Sequence, residues 1–148
     1  MVREEQFELA LEQLKETHPH GSFAYDNPAH SFREVVSAHF RSVLYLEQHG
    51  FYLVRQRETG EVLYIGKGGT VDADGRLKNQ DVRGRLRNTK GRLGANDWAR
   101  SLVEEKGAFV VEYIFLTMVP RSPAFVEATL LQEYLNANGR LPYRNKAL

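Results

Sequence analysis

The feature that most constrains the fold is a long β-prone run at residues 108–118. Its apolar residues of high strand propensity are Phe109, Val110, Val111, Tyr113, Ile114, Phe115 and Leu116. Two shorter runs of the same character, 51–54 and 62–65, are joined by a polar stretch and predict a hairpin. Three strands in this order indicate a small antiparallel sheet whose apolar faces are covered by helices.

Several segments are predicted to be helices that cover this sheet, because their apolar residues recur at a spacing of three to four. The predicted helices are 3–17, 32–49, about 81–89, 95–106 and 123–138. Ser31 and Ser122 are typical N-cap residues, and Gly139 ends the last helix. Residues 21–30 and 66–80 are predicted to be loops. The expected fold class is α+β: a small three-stranded antiparallel sheet flanked by helices, with extra N-terminal helices.

Chain length and pattern indicate one compact unit. A chain of 148 residues has the usual size of a single domain and can bury a core without disulfides. The pattern changes at residue 50, so we interpret 1–49 as an N-terminal helical extension and 50–148 as the main domain. No apolar stretch approaches the roughly 20 residues of a membrane helix. The acidic N-terminus lacks the apolar run of a signal peptide, so we expect a cytoplasmic protein.

Several classes of site are excluded by the sequence. The chain contains no cysteine, which excludes disulfides, Cys-ligated zinc, iron–sulfur clusters and thiol catalysis. Lys67 lies in a glycine-rich segment, but the glycine spacing and the residue after the lysine do not fit a phosphate-binding P-loop. Asp72 and Asp74 do not fit the calcium-loop template. His18 and His20 are interpreted as surface residues rather than as a metal site.

Charge is distributed unevenly along the chain, although the overall net charge is only +1. Residues 1–50 hold four basic and eight acidic residues, whereas residues 51–100 hold eleven basic and six acidic ones. Within 76–100, eight basic residues accompany only two acidic ones. Such a stripe is typical of a phosphate-binding surface, and the alternative is a solvated helix face.

Glu127 is a candidate functional carboxylate. On the predicted last helix it shares a face with Leu131 and Tyr134, since residues three or four apart are neighbours. A carboxylate among apolar neighbours is unfavourable unless it is paired or binds a cation. The alternative is an acidic residue that reaches water and complements the helix dipole.

Five elements of the sequence, in order, resemble the signature of the GIY-YIG nuclease family. They are Gly50-Phe51-Tyr52, Tyr64-Ile65-Gly66, Arg85 in a short helix, Glu127 and Asn145. The resemblance covers about residues 50–146. In the first triplet phenylalanine replaces isoleucine, and Thr89 stands where many members have a histidine. Arg83 is a second candidate for the family arginine.

The resemblance implies a metal-dependent endonuclease that hydrolyses DNA phosphodiester bonds. Glu127 would bind one Mg²⁺ or Mn²⁺ ion whose other ligands are waters. Tyr52 would act as the general base, with its pKa lowered by Lys67, Arg85 and the metal, and Tyr64 would orient or share the proton. The predicted catalytic residues are Tyr52, Tyr64, Lys67, Arg85, Glu127 and Asn145, the last as a hydrogen-bonding support.

The basic stripe is expected to follow the backbone of the DNA substrate in a salt-dependent manner. The predicted nucleic-acid contacts are Lys67, Lys78, Arg83, Arg87, Lys90 and Arg92. A homodimer would allow both strands to be cut. Two alternatives stay open: a catalytically weak nucleic-acid-binding module, motivated by Thr89, and a structural role in which residues 1–49 bind a partner.

Overall fold

The computed structural model describes residues 3–45, 47–88, 90–116 and 122–148. The helices are α1 (Arg3–Thr17), α2 (Phe32–Phe40), α3 (Val82–Leu86), α4 (Ala95–Lys106) and α5 (Pro123–Asn138). The strands are β1 (His20–Tyr25), β2 (Gly50–Gln56), β3 (Val62–Gly68), β4 (Thr70–Val71), β5 (Leu77–Lys78) and β6 (Phe109–Phe115). None of the described helices is long and apolar enough to cross a bilayer.

The main sheet is antiparallel and has four strands in the order β1-β6-β2-β3. The three predicted strands β2, β3 and β6 lie side by side, and β1 adds a fourth at the edge, where a loop was predicted. Short β1 contains His20 and Gly21, which carry little strand propensity, and it forms by pairing with β6 along its whole length. The β4–β5 hairpin lies within the second predicted loop.

Helices cover both faces of this sheet, because side chains alternate between the faces along each strand. Tyr52 and Val54 of β2 point into a core that α2, α3 and α4 complete. Phe51 and Leu53 point to the opposite side, into a core shared with α1 and α5. The architecture is therefore α+β with a helical layer on each side of the sheet.

Helix boundaries agree with the prediction except in two places. Helix α2 was predicted to continue towards residue 49, but it ends at Phe40 with Arg41 as its C-cap. The apolar pattern beyond that point is misleading, since Leu44 is 90% exposed and packs into neither core. Helix α3 is shorter than predicted. Residues 117 and 118 of the predicted third strand lie outside the described residues.

Segment 1–49 shares both cores with the rest of the chain. Helix α1 contributes Phe7 and Leu11 to the core that α5 completes, and β1 pairs with β6. The division between an extension and a main domain at residue 50 stays a prediction.

Candidate active site

An open cleft of about 1090 Å³ lies beside β3, at the edge of the sheet. It is bordered by β3, α3, the turn at 90–93, α5 and the segment at 144–148. Among the described residues, its charged lining side chains are Lys67, Arg85, Lys90, Arg92, Glu127, Arg144 and Lys146. Six cations therefore accompany one carboxylate, a composition that attracts an anionic ligand.

Glu127 reaches the cleft from α5. Ser122 caps this helix by accepting a hydrogen bond from the Phe125 amide, and Pro123 occupies its first turn, as the sequence predicts. Burial raises the pKa of Glu127, while the positive charges of Lys67 and Arg85 act in the opposite direction. Glu127 is thus a partly buried carboxylate held close to two cations.

Tyr52 and Tyr64 are brought together by strand register. Tyr52 of β2 pairs with Gly66 of β3, and the two tyrosine rings lie 6.0 Å apart between centroids. A Cβ atom at position 66 would lie 2.6 Å from the Tyr52 hydroxyl oxygen and 2.8 Å from Cε2 of Tyr64. A glycine is therefore required at position 66 for both rings to occupy these positions.

The two tyrosines differ in exposure. Tyr64 lines the cleft, whereas Tyr52 lies beneath the surface and is fully buried. The Tyr52 hydroxyl has no hydrogen-bond partner among the described residues. Burial raises the pKa of Tyr52 well above its usual value, and the neighbouring Tyr64 adds to this, so both act against the predicted lowering of the Tyr52 pKa. Arg85 does act to lower that pKa, but burial outweighs it.

Arg85 reaches the cleft from α3, which is only five residues long. Asp81 caps the helix by accepting a hydrogen bond of 2.9 Å from the Gly84 amide. Strand β3 approaches the start of α3 so closely that a Cβ atom at position 68 would lie 2.4 Å from the Val82 nitrogen. Arg83, the second candidate for the family arginine, is exposed and does not line the cleft.

Asn145 supports the edge of β3. Its side-chain oxygen accepts a 2.9 Å hydrogen bond from the Ile65 amide, and its side-chain nitrogen donates a 2.8 Å hydrogen bond to the Ile65 carbonyl. The Arg144 amide also donates to the Leu63 carbonyl at 2.8 Å. Backbone groups at the sheet edge that would otherwise need water are thereby satisfied.

The predicted nucleic-acid contacts separate into two groups. Lys67 and Arg92 line the cleft, whereas Lys78, Arg83 and Arg87 lie outside its lining. Thr89, which occupies the family's histidine position, lies outside the described residues.

Lys90 lines the cleft but is only 7% exposed, which does not favour the direct DNA contact predicted for it. Its ammonium group donates hydrogen bonds to backbone carbonyls instead. Burial, with a contribution from Arg85, lowers the pKa of Lys90 to about 7.

The sequence did not identify Trp98, the only tryptophan of the chain, as part of the site. Its ring packs edge-on against Tyr64 at 5.4 Å between centroids. The Lys90 nitrogen lies 5.1 Å from the ring centroid and the Arg144 guanidinium carbon 5.7 Å from it. The signal that could have identified it is the position of Trp98 on the apolar face of helix 95–106, with Ala95, Ala99 and Leu102.

A metal ion at this site would depend mainly on Glu127. Within the part of the chain that the structure describes, no group of three or more His, Asp or Glu side chains could hold a metal. Mg²⁺ commonly takes one or two carboxylates and keeps several waters, so a single carboxylate in an open cleft fits such an ion.

Comparisons with protein-family models, with curated proteins and with solved structures give no match to this chain. Its function is therefore argued from the residues and geometry of the cleft.

Proposed function

We propose that this chain is a metal-dependent endonuclease of the GIY-YIG type, which hydrolyses DNA phosphodiester bonds in the cleft beside β3. The observation that carries this proposal is the convergence of Tyr64, Arg85 and Glu127 on one cleft whose other charged lining side chains are basic. These three residues come from β3, α3 and α5, which are separate in sequence. The family resemblance named the same three residues.

The cationic lining supports a phosphodiester substrate. A guanidinium group holds phosphate oxygens through two parallel hydrogen bonds, and the positive charge of Arg85 acts on the pKa of Tyr52, Tyr64 and Glu127. Lys67 and Arg92 add positive charge to the lining of the same cleft. In this proposal Arg85 binds a non-bridging oxygen of the scissile phosphate.

Glu127 would hold one Mg²⁺ or Mn²⁺ ion, with waters as the remaining ligands. When bound, such an ion acts as a Lewis acid on the phosphate and on the leaving oxygen. The raised pKa of Glu127 fits this role, because a nearby divalent cation stabilises the ionised carboxylate that burial disfavours.

Tyr64 rather than Tyr52 is proposed to take the proton from the attacking water, because Tyr64 lines the cleft. Tyr52 lies behind it and supports the Tyr64 ring by packing, with 6.0 Å between the ring centroids. Burial raises the pKa of Tyr64, and the positive charge of Arg85 opposes this. A free phenol has a pKa of about 10, so only about one in a thousand is ionised at pH 7. Cleavage is therefore expected to accelerate as pH rises above neutrality.

The direct test is nicking of supercoiled plasmid, with single-stranded and branched DNA compared in parallel. The purified chain should nick at least one of these substrates in Mg²⁺ or Mn²⁺ and none of them in excess chelator. Background cleavage of all three substrates in both metals would refute the nuclease proposal.

A second candidate is a nucleic-acid-binding module with little or no catalytic activity. Two observations favour it: Thr89 stands at the histidine position, and Tyr52 is fully buried with a raised pKa. This candidate predicts DNA affinity that falls as salt rises, without metal-dependent cleavage. The plasmid assay, run beside a binding titration, separates the two candidates.

A further inference from the structure

We infer that Lys90 is a positioning residue, whose ammonium group clamps the C-terminal end of α3 and so holds Arg85 in the cleft. The structural part of this inference concerns α3 alone. Its consequence for cleavage rests on the proposed nuclease function.

The Lys90 side chain makes three hydrogen bonds to one short stretch of backbone. Its Nζ atom donates to the carbonyl oxygens of Leu86 at 3.0 Å, Arg85 at 3.3 Å and Asn88 at 3.3 Å. Carbonyl oxygens only accept hydrogen bonds, and a neutral amine can donate only two. Three carbonyl partners therefore match the three N–H groups of an ammonium ion, and they leave no N–H group for a phosphate.

Helix α3 needs external support because it is a single turn. The first turn of a helix orders several residues for one hydrogen bond, so an isolated five-residue helix is unstable in water. Asp81 supports its N-terminal end. Lys90 supports the C-terminal end, where positive charge is favourable because unpaired carbonyls carry partial negative charge.

The clamp acts on Arg85 directly, since one of the three acceptors is the Arg85 carbonyl itself. The long Arg85 side chain projects from this backbone towards a site shared with Tyr64 and Glu127. Loss of the clamp would loosen the backbone that orients the Arg85 guanidinium. A displacement of a catalytic group by about 1 Å is enough to lower the rate of reaction about a hundredfold.

The surroundings of Lys90 fix its position. Its Nζ atom lies over the Trp98 ring, and its backbone pairs with Leu93 through hydrogen bonds of 2.8 and 3.2 Å across a tight turn. The same turn carries Arg92, a cleft-lining cation. Lys90 therefore links α3 to the turn at 90–93, which borders the same cleft.

The first experiment measures amide hydrogen exchange in wild type, Lys90→Met and the matched control Lys106→Met. Lys106 is a partly buried lysine outside the cleft, paired with Glu61 at 3.5 Å. In Lys90→Met, the amides of Arg85 and Arg87 should exchange about tenfold faster or more, with β2 and β6 unchanged. Unchanged protection in α3, or an equal effect of Lys106→Met, would overturn the inference.

If Lys90→Met does not fold, the wild-type protein still decides the structural claim. At pH 5.5 an ammonium group with three carbonyl partners should give a distinct, slowly exchanging ¹H–¹⁵N signal for Lys90. Fast exchange, as for the exposed lysines, would overturn the clamp.

The second experiment is a double-mutant cycle on plasmid cleavage. Lys90→Met should lower kcat by about tenfold or more with KM for DNA changed by less than about threefold, because Arg85 acts on the bound phosphate. In an Arg85→Ala background, Lys90→Met should lower kcat by less than about twofold further. Equal losses in both backgrounds would show that Lys90 does not act through Arg85.

The two proposals fail separately. If the wild-type protein cleaves no DNA, the nuclease function is refuted, while hydrogen exchange in α3 still supports or overturns the clamp.

Discussion

Replacing Tyr52 by phenylalanine should make the protein more stable. The substitution removes one hydroxyl that is fully buried and has no hydrogen-bond partner among the described residues. The ring itself stays beside Tyr64 and above Gly66. The change therefore isolates the energetic consequence of the hydroxyl group.

The size of the effect follows from two opposing contributions. A buried hydroxyl without a partner costs about 1–3 kcal/mol, and this penalty disappears in the variant. The missing oxygen leaves roughly 10 Å³ of empty space, which costs about 0.2 kcal/mol at about 24 cal/mol per Å³. The net gain is about 1–3 kcal/mol, and Tm should rise by about 3–8 °C at roughly 3 °C per kcal/mol for a chain of this size.

The assay is thermal and urea unfolding of wild type, Tyr52→Phe and the matched control Tyr25→Phe. Tyr25 is also a buried residue, but its hydroxyl donates a 2.6 Å hydrogen bond to the His30 carbonyl, so its removal should destabilise the protein by about 1 kcal/mol. If Tyr52→Phe lowers Tm as the control does, the hydroxyl has a partner and the reasoning is refuted.

The same Tyr52→Phe variant separates packing from function. Under the proposed mechanism Tyr52 supports Tyr64 through its ring, which phenylalanine keeps, so the variant should cleave plasmid within about threefold of the wild-type rate. A loss of about tenfold or more would show that the Tyr52 hydroxyl takes part in proton transfer.

Three further predictions address the glycine, the carboxylate and the cationic lining. Gly66→Ala should lose about 1–3 kcal/mol of stability, because the added Cβ atom overlaps the Tyr52 ring. A Cβ atom at Gly94 meets no other atom of the described residues, so Gly94→Ala should lose less, about 1 kcal/mol at most, because alanine is a poorer N-cap of α4 than glycine. Equal losses in the two variants would contradict the ring arrangement. Because burial raises the pKa of Glu127, ionisation of this carboxyl destabilises the fold as pH rises through that pKa. In urea unfolding, Glu127→Gln should therefore be more stable than wild type at pH 7 but not at pH 3. A difference in the free energy of unfolding that is the same at both pH values would argue against this. Arg92→Gln should reduce the slope of log Kd for duplex DNA against log salt by about one, measured by fluorescence anisotropy, and an unchanged slope would remove Arg92 from the interface.

The parts of the fold that local signals determine could be predicted from the sequence. Strands β2, β3 and β6 each contain a run of at least three β-prone residues, and Ser122 marks the start of α5. Strand β1 was missed because it exists only through pairing with β6, at a separation of more than 80 residues. The predicted extension of α2 was wrong because a helical apolar pattern does not reveal that Leu44 is exposed.

The resemblance to the GIY-YIG signature pointed to Tyr64, Arg85 and Glu127, and the structure brings all three to one cleft. How deeply each side chain is buried could not be predicted. The burial of Tyr52 and the carbonyl partners of Lys90 depend on tertiary packing. From charge alone, Lys90 resembles every other lysine of the basic stripe, and only its surroundings distinguish it.

The most direct test of the central claim is the plasmid-nicking rate of Glu127→Gln against wild type in Mg²⁺, with Glu133→Gln as the control on the same helix. Glu133 does not line the cleft. The account predicts that Glu127→Gln loses about a hundredfold or more in rate while both variants stay folded and Glu133→Gln keeps wild-type activity. Equal nicking by wild type and Glu127→Gln would contradict it.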